Sequence, residues 1–324
     1  MSGDAVIRPA TAADEPALAR LWAAAFTPPL APDQWLVDAR RHKHTLVAED
    51  ADGLCGSIYG VPKRLRERDG GTAAVHAIGS VAVDARARGR GLARRLVAAS
   101  LQTAGDADWA LLFTGTPEVY RSSGFETFAM DRVLAGPWRA PSAAEGAAGV
   151  PAGTGDGVLR RRIGANGGRP SASGAAVLPD AVRIAYEHSR EGLVLAPVRR
   201  EVDWEMAAVR LRGALLYTHE TTDSAYVVAT IRGTTGVVCE AALPTDADAD
   251  GIRHALLTAL AADWEAADVT DCDIAVPARP GDEGAFAGFA PEARRLTDHT
   301  GMTRALRRRP RLDGIRHFTE ADYF

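Results

Sequence analysis

The sequence predicts a mixed α/β fold, an α+β mixed sheet with helices on its faces, and predicts it twice along the chain. Three observations carry this. An apolar, partly β-branched stretch from Ala74 to Val83 runs into an arginine- and glycine-bearing turn and then a segment of helical periodicity, Arg90 to Ala104. The same order of strands and helices is met again in outline after Val158. At 324 residues and 46% hydrophobic content, the chain can build two cores, each in a domain of about 150 residues.

In order, Val6-Ile7-Arg8 reads as a strand, and Thr11 with Glu15 starts a helix whose Leu18, Leu21, Trp22 and Phe26 share a face. Pro28-Pro29 ends it, and Trp35-Leu36-Val37 belongs to a second short helix. Thr45–Ala48 and Leu54–Val61 form a hairpin across Asp50 to Gly53, and Pro62–Gly71 reads as a charged excursion before the central strand. Leu92, Leu96, Val97 and Leu101 define the apolar face of the next helix. Trp109–Thr114 is another strand, and Thr116-Pro117-Glu118 starts a short helix that carries Tyr120 and ends at Gly124-Phe125.

The turn Asp84-Ala-Arg-Ala-Arg-Gly-Arg-Gly91 carries the chemistry. Main-chain N–H groups at a helix start lack intrahelical partners and lie at the positive end of the dipole, which suits an anion. Gly89 and Gly91 permit unusual backbone angles and close approach, and Arg86, Arg88 and Arg90 add cationic reach, so a diphosphate is a natural guest. Neither a G-x-G-x-x-G spacing nor a following Gly-Lys-Ser/Thr is present.

Arg86-x-x-Gly89-x-Gly91 after Val81-Ala-Val83, followed by Tyr120-Arg-Ser-Ser-Gly-Phe125, resembles the acyl-CoA and tyrosine motifs of the GNAT acetyltransferase superfamily over about the first 135 residues. The resemblance implies an acetyl-CoA site formed by Ser80, Val81, Ala82, Val83, Arg86, Arg88, Gly89, Arg90, Gly91 and Leu92. It implies direct transfer, with an N–H between Ser80 and Val83 polarising the thioester carbonyl and Tyr120 protonating the leaving thiolate. His76 on the central strand is one candidate base, with Glu126 and His44 weaker ones. Trp22, Phe26 and Trp35 would line the acceptor groove, with Lys63–Asp69 capping its entrance.

From Gly136 to about Pro179 the composition shifts to Gly, Ala, Pro and Ser around a strand-like Val158–Ile163. Helical segments at 180–191 and 200–212, strands at 214–218, 225–231 and 237–243, a helix at 251–264, a strand at 269–276 and closing segments 286–296 and 302–306 repeat the first half. Where the first copy has its arginine-glycine turn, the second has Asp246, Asp248 and Asp250, which would repel a diphosphate, so the second copy is expected not to bind CoA. The domains are therefore 1–135 catalytic, 136–157 linker, 158–306 degenerate second copy and 307–324 tail.

A tandem of this kind is similar to the enhanced intracellular survival (Eis) family, and the segments around Tyr186, Arg190, Arg199 and Trp204, with Ala225-Tyr226-Val227-Val228, resemble that family's middle domain. That family's third, sterol-carrier-like domain is expected to be lacking, since the 18 residues after Leu306 are too few to form one. The resemblance implies an N-acetyltransferase for a small-molecule amine such as an aminoglycoside or polyamine, or for lysine side chains. It leaves a homo-oligomer open, and it makes the carboxylate of Phe324 a second candidate base. A protein acetyltransferase and a non-catalytic acyl-CoA-binding module are the alternatives.

Composition narrows the rest. Net charge is −4, only Lys43 and Lys63 are lysines, and no basic face points to nucleic acid. Cys55, Cys239 and Cys272 stand apart without metal-binding spacing, so no metal and a reducing, cytoplasmic setting are expected. No stretch approaches the ~18 apolar residues of a membrane span.

Overall fold

In the computed structural model, which describes residues 5–30, 32–141, 157–164, 178–244 and 250–324, the first half begins with strand β1 (Val6–Pro9). Arg8 donates to both carboxylate oxygens of Asp14 at 2.8 Å, and Asp14 accepts from the Thr11 backbone, so the strand is tied to the start of helix α1 (Glu15–Ala25). That pairing holds the Asp14 carboxyl well below the usual carboxylate range. Helices α2 (Asp33–Val37) and α3 (Arg41–His44) follow, then strands β2 (Thr45–Asp50), β3 (Gly53–Arg66) and β4 (Thr72–Val83). Helix α4 (Leu92–Gln102) packs Leu92, Leu96 and Val97 onto one face of this sheet, and α1 brings Leu18, Leu21 and Trp22 to the other. Strand β5 (Trp109–Phe113), helix α5 (Glu118–Arg121) and strands β6 (Glu126–Thr127) and β7 (Met130–Pro137) complete the half.

The second half runs β8 (Val158–Arg162), α6 (Asp180–Ser189), α7 (Glu201–Arg210), β9 (Leu215–His219), β10 (Thr222–Arg232), β11 (Thr235–Ala242), α8 (Asp250–Glu265), β12 (Asp271–Ile274), α9 (Pro280–Ala287), β13 (Arg294–Asp298) and β14 (Gly301–Ala305). The expected repeat is present as two seven-stranded mixed sheets, ordered β1-β2-β3-β4-β5-β14-β6 and β13-β7-β12-β11-β10-β9-β8. Most of the expected linker, and Asp246 and Asp248 of the acidic turn, lie outside the described residues.

Two features depart from the sequence reading. The halves exchange a strand: β7 pairs with β12 and β13, and β14 sits between β5 and β6 with Met302 opposite Leu112. Met302–Leu306 therefore completes the first sheet rather than the second, because strand periodicity marks a strand without naming its partner. The charged excursion after Pro62 is not a cap over a groove either. It is the second half of β3, paired with β4 from Lys63↔Val75 to Arg66↔Thr72, with Lys63 and Leu65 facing inward.

Lys63 ties the halves together. Its Nζ lies 2.7 Å from Asp203 on α7, and both side chains are at most 4% exposed. Removing one partner strands the other in a medium of low dielectric. Lys63→Met is expected to lower unfolding free energy by about 3 kcal/mol, measured by urea denaturation, with Arg200, 2.9 Å from the same carboxylate, limiting the loss.

Candidate active site

The central feature is an opened pair of strands. β4 and β5 run parallel and pair only over Val75↔Trp109, His76↔Ala110 and Ala77↔Leu111, while β4 continues six residues further. In that extension the register with β3 slips between Tyr59↔Gly79 and Ser57↔Ala82, and Ser80 takes φ +50°. This is a bulge, which adds a residue to one strand and leaves main-chain groups unpaired. Gly79, Ser80 and Val81 are half-buried in a strand otherwise mostly sealed.

On the α4 face, the turn after β4 ends in two left-handed glycines, Gly89 at φ +77° and Gly91 at φ +67°, the latter capping α4. A Cβ on Gly89 would meet nothing within 4 Å, so the turn offers open main chain to an incoming group. Arg86 is spent elsewhere than expected. Its Nη1 contacts both oxygens of Asp50 at 2.8 and 2.7 Å and its Nη2 donates to the Gly53 carbonyl, bracing the turn against the β2–β3 hairpin and holding the Asp50 carboxyl low. Arg88 and Arg90 remain at the exposed turn, each also donating to a nearby carbonyl, Val83 and Arg86 respectively. Leu92 faces the core on this side with Ile78.

Tyr120 lies in the same cluster, edge-on to Phe125 at 6.3 Å between ring centroids. Among the described residues its hydroxyl has no hydrogen-bond partner, and burial raises its pKa, so it is protonated at neutral pH.

The opposite face receives the tail. A Cβ built on Gly79 would stand 2.2 Å from a main-chain oxygen of Phe324 and 2.7 Å from its main-chain carbon, so only glycine allows Phe324 to lie against the bulge. The Phe324 ring packs 6.3 Å from Phe113 at the end of β5 and 6.2 Å from Phe318. The Gln34 side chain donates to the Tyr323 carbonyl and accepts from Arg210 Nε at 2.8 Å. Gln34, Arg210 and the opposing Tyr59 carried no motif, and no local pattern would have singled them out. The Tyr59 hydroxyl donates to Asp38 at 2.9 Å, and His44 Nδ1 lies 2.6 Å from that carboxylate, so His44 is engaged there.

Of the residues expected to line the acceptor groove, Trp22 and Trp35 are core. Their indole N–H groups donate to Ser57 and Thr45, and the rings meet edge-on at 5.4 Å. Phe26 is half-buried against the same cluster that Phe324 joins. Asp33 pairs with Arg212 at 2.6 Å, and Glu126 is exposed on β6.

His76 points away from Phe324, towards α4, where its Nε2 lies 2.9 Å from Ser100 Oγ. Burial lowers its pKa from 6.5 to about 4. The folded state then binds fewer protons than the unfolded one between these values, so stability is intact above pH 6.5 and falls as pH drops towards 4, by about 3 kcal/mol in full. His76→Gln should flatten this acid limb, read by denaturation at pH 7 and pH 5. The three cysteines are buried and free, and the described residues hold no group of three or more His, Cys, Asp or Glu arranged for a metal. No helix of the described residues is long and apolar enough to cross a membrane.

A splayed parallel pair with a glycine turn at a helix start and a buried tyrosine beside it fits the acyl-CoA-dependent N-acetyltransferase class to which the family match points. Residues 6–128 match the acetyltransferase (GNAT) domain family, whose acetyl donor is acetyl-CoA. No curated protein sequence matches the chain. Among solved structures, a GCN5-related N-acetyltransferase from Kribbella flavida is 19% identical with a TM-score of 0.66, the match covering 94% of this chain and 71% of that one. Eis1 from Mycobacterium abscessus is 15% identical at 0.59, covering 93% and 73%. A GCN5-related N-acetyltransferase from Anabaena variabilis is 13% identical at 0.64, covering 93% and 72%. At these identities the likeness is one of fold across both halves.

Proposed function

We propose that this chain transfers the acetyl group of acetyl-CoA directly to a primary amine of a small molecule, of the aminoglycoside or polyamine kind. The observation that carries the reading is Phe324 lying against Gly79 at the strand opening, on the face of β4 opposite Tyr120. The open turn at Gly89 and Gly91, with Arg88 and Arg90, receives the diphosphate. The bulged main chain at Ser80 to Val83 supplies N–H donors to the thioester carbonyl, where negative charge develops. As the amine nitrogen bonds to the acetyl carbon and the carbon–sulfur bond breaks, the Phe324 carboxylate takes the proton from nitrogen and Tyr120 gives one to sulfur. A carboxylate also favours a cationic acceptor, and a tail across this face suits a small amine better than a protein segment.

Acetyl-CoA-dependent thiol release against aminoglycosides, polyamines, amino acids and lysine peptides tests this. Turnover confined to small amines is expected. Turnover of lysine peptides alone would sink the small-molecule reading, and binding without turnover on any amine would sink catalysis. Gly91→Glu, which puts a charged side chain on a left-handed backbone beside the diphosphate, should raise the acetyl-CoA Kd by about tenfold or more, measured by calorimetry.

A further inference from the structure

Two residues before Phe324, the tail is locked to the second sheet. Asp322 accepts from Arg199 Nε at 2.8 Å and from the Thr319 hydroxyl at 2.8 Å. The rest of the Arg199 fork meets Glu240, Nη1 at 3.2 Å from Oε1 and Nη2 on Oε2, and Glu240 also accepts from the Tyr226 hydroxyl at 2.7 Å. The guanidinium lies over the edge-on pair of Tyr186 and Trp204, 4.0 and 4.7 Å from their ring centroids. The side chains of Arg199 and Glu240 are wholly buried.

The place of this cluster in the sheet matters. β11 pairs with β12 only as far as Val238↔Ile274, and Glu240 lies two residues beyond. In the first sheet the same step past the last paired residue, Ala77, reaches Gly79 and the strand opening. The second sheet thus uses the corresponding position to grip the tail that reaches the opening of the first. A buried ion cluster is weak evidence for stability, since apolar residues of like volume serve as well, but it fixes one geometry. From Asp322 to Phe324 the chain reaches at most about 7 Å, so little slack separates the anchor from the carboxyl group.

We infer that Arg199 and Asp322, keyed on Glu240, are positioning residues that set the Phe324 carboxyl group against Gly79, so that the second half serves the chemistry of the first. The inference rests on the reading of Phe324 as proton acceptor. It is tested with four proteins: the parent chain, Asp322→Ala, a chain lacking Phe324, and the two changes combined. Removing Phe324 should lower kcat about a hundredfold. Asp322→Ala should lower it about tenfold or more with acetyl-CoA affinity within about twofold, because an ångström of misplacement has that scale of effect. In the chain lacking Phe324, Asp322→Ala should change kcat by less than about twofold, a coupling that a purely structural role does not produce. Losses that simply multiply, or an Asp322→Ala enzyme with full activity, overturn the positioning role while leaving Phe324 as acceptor. Full activity without Phe324 overturns the proton-acceptor reading itself, and this inference with it. If Asp322→Ala does not fold, as judged by lost acetyl-CoA binding, Arg199→Lys, which keeps the charge and loses the fork, carries the same cycle.

Discussion

Tyr120→Phe is expected to lower kcat about a hundredfold while acetyl-CoA affinity and melting temperature stay near those of the parent chain. The ring is buried among Ile78, Leu92, Leu112 and Phe125, and phenylalanine keeps that packing. The hydroxyl has no hydrogen-bond partner among the described residues, so deleting it strands no buried group and costs little stability. What it removes is the hydroxyl proposed to protonate the leaving sulfur. Burial keeps that donor protonated at neutral pH, so its loss would be felt when the sulfur leaves, in kcat rather than in binding. Steady-state kinetics, calorimetry and a thermal melt separate these effects. An unchanged kcat would reduce Tyr120 to a core residue.

How much of this was legible in the sequence depends on how local each signal is. The strand, glycine turn and helix from Ala74 to Gln102 lie within thirty residues of each other, and the structure places all three as expected. The exchange of β7 and β14 was not legible, because pairing over more than a hundred residues leaves no periodic trace in either strand. The inward turn of Lys63 was in principle readable. Val61, Lys63 and Leu65 alternate with Pro62, Arg64 and Arg66 at a strand period, but the charge of Lys63 masks the pattern until Asp203 supplies its partner. His76 illustrates a different limit. Alternation alone gives two faces without saying which is which, and the bulge at Ser80 shifts the phase for the residues beyond it. Arg199 stood out in sequence, yet its partners Glu240 and Asp322 lie 41 and 123 residues further along the chain.

Gly79→Ala should cost as much activity as removing Phe324, and by a steric route alone. The added methyl would sit 2.2 Å from the main-chain oxygen, 2.7 Å from the main-chain carbon and 3.2 Å from the ring of Phe324. Both main-chain neighbours are fixed: Gly79 is held by its register with Tyr59, and the tail by Asp322 and by Gln34 on the Tyr323 carbonyl. No rotamer change relieves the contact, so the carboxyl group must retreat by about an ångström, enough to cost about a hundredfold in kcat. The methyl faces away from α4, so acetyl-CoA affinity should hold within about twofold. Gly115→Ala, where a Cβ would meet nothing within 4 Å, is the matched control and should be silent. A fully active Gly79→Ala enzyme would mean that the chemistry proceeds with Phe324 displaced, and the proton must then leave the amine by another path.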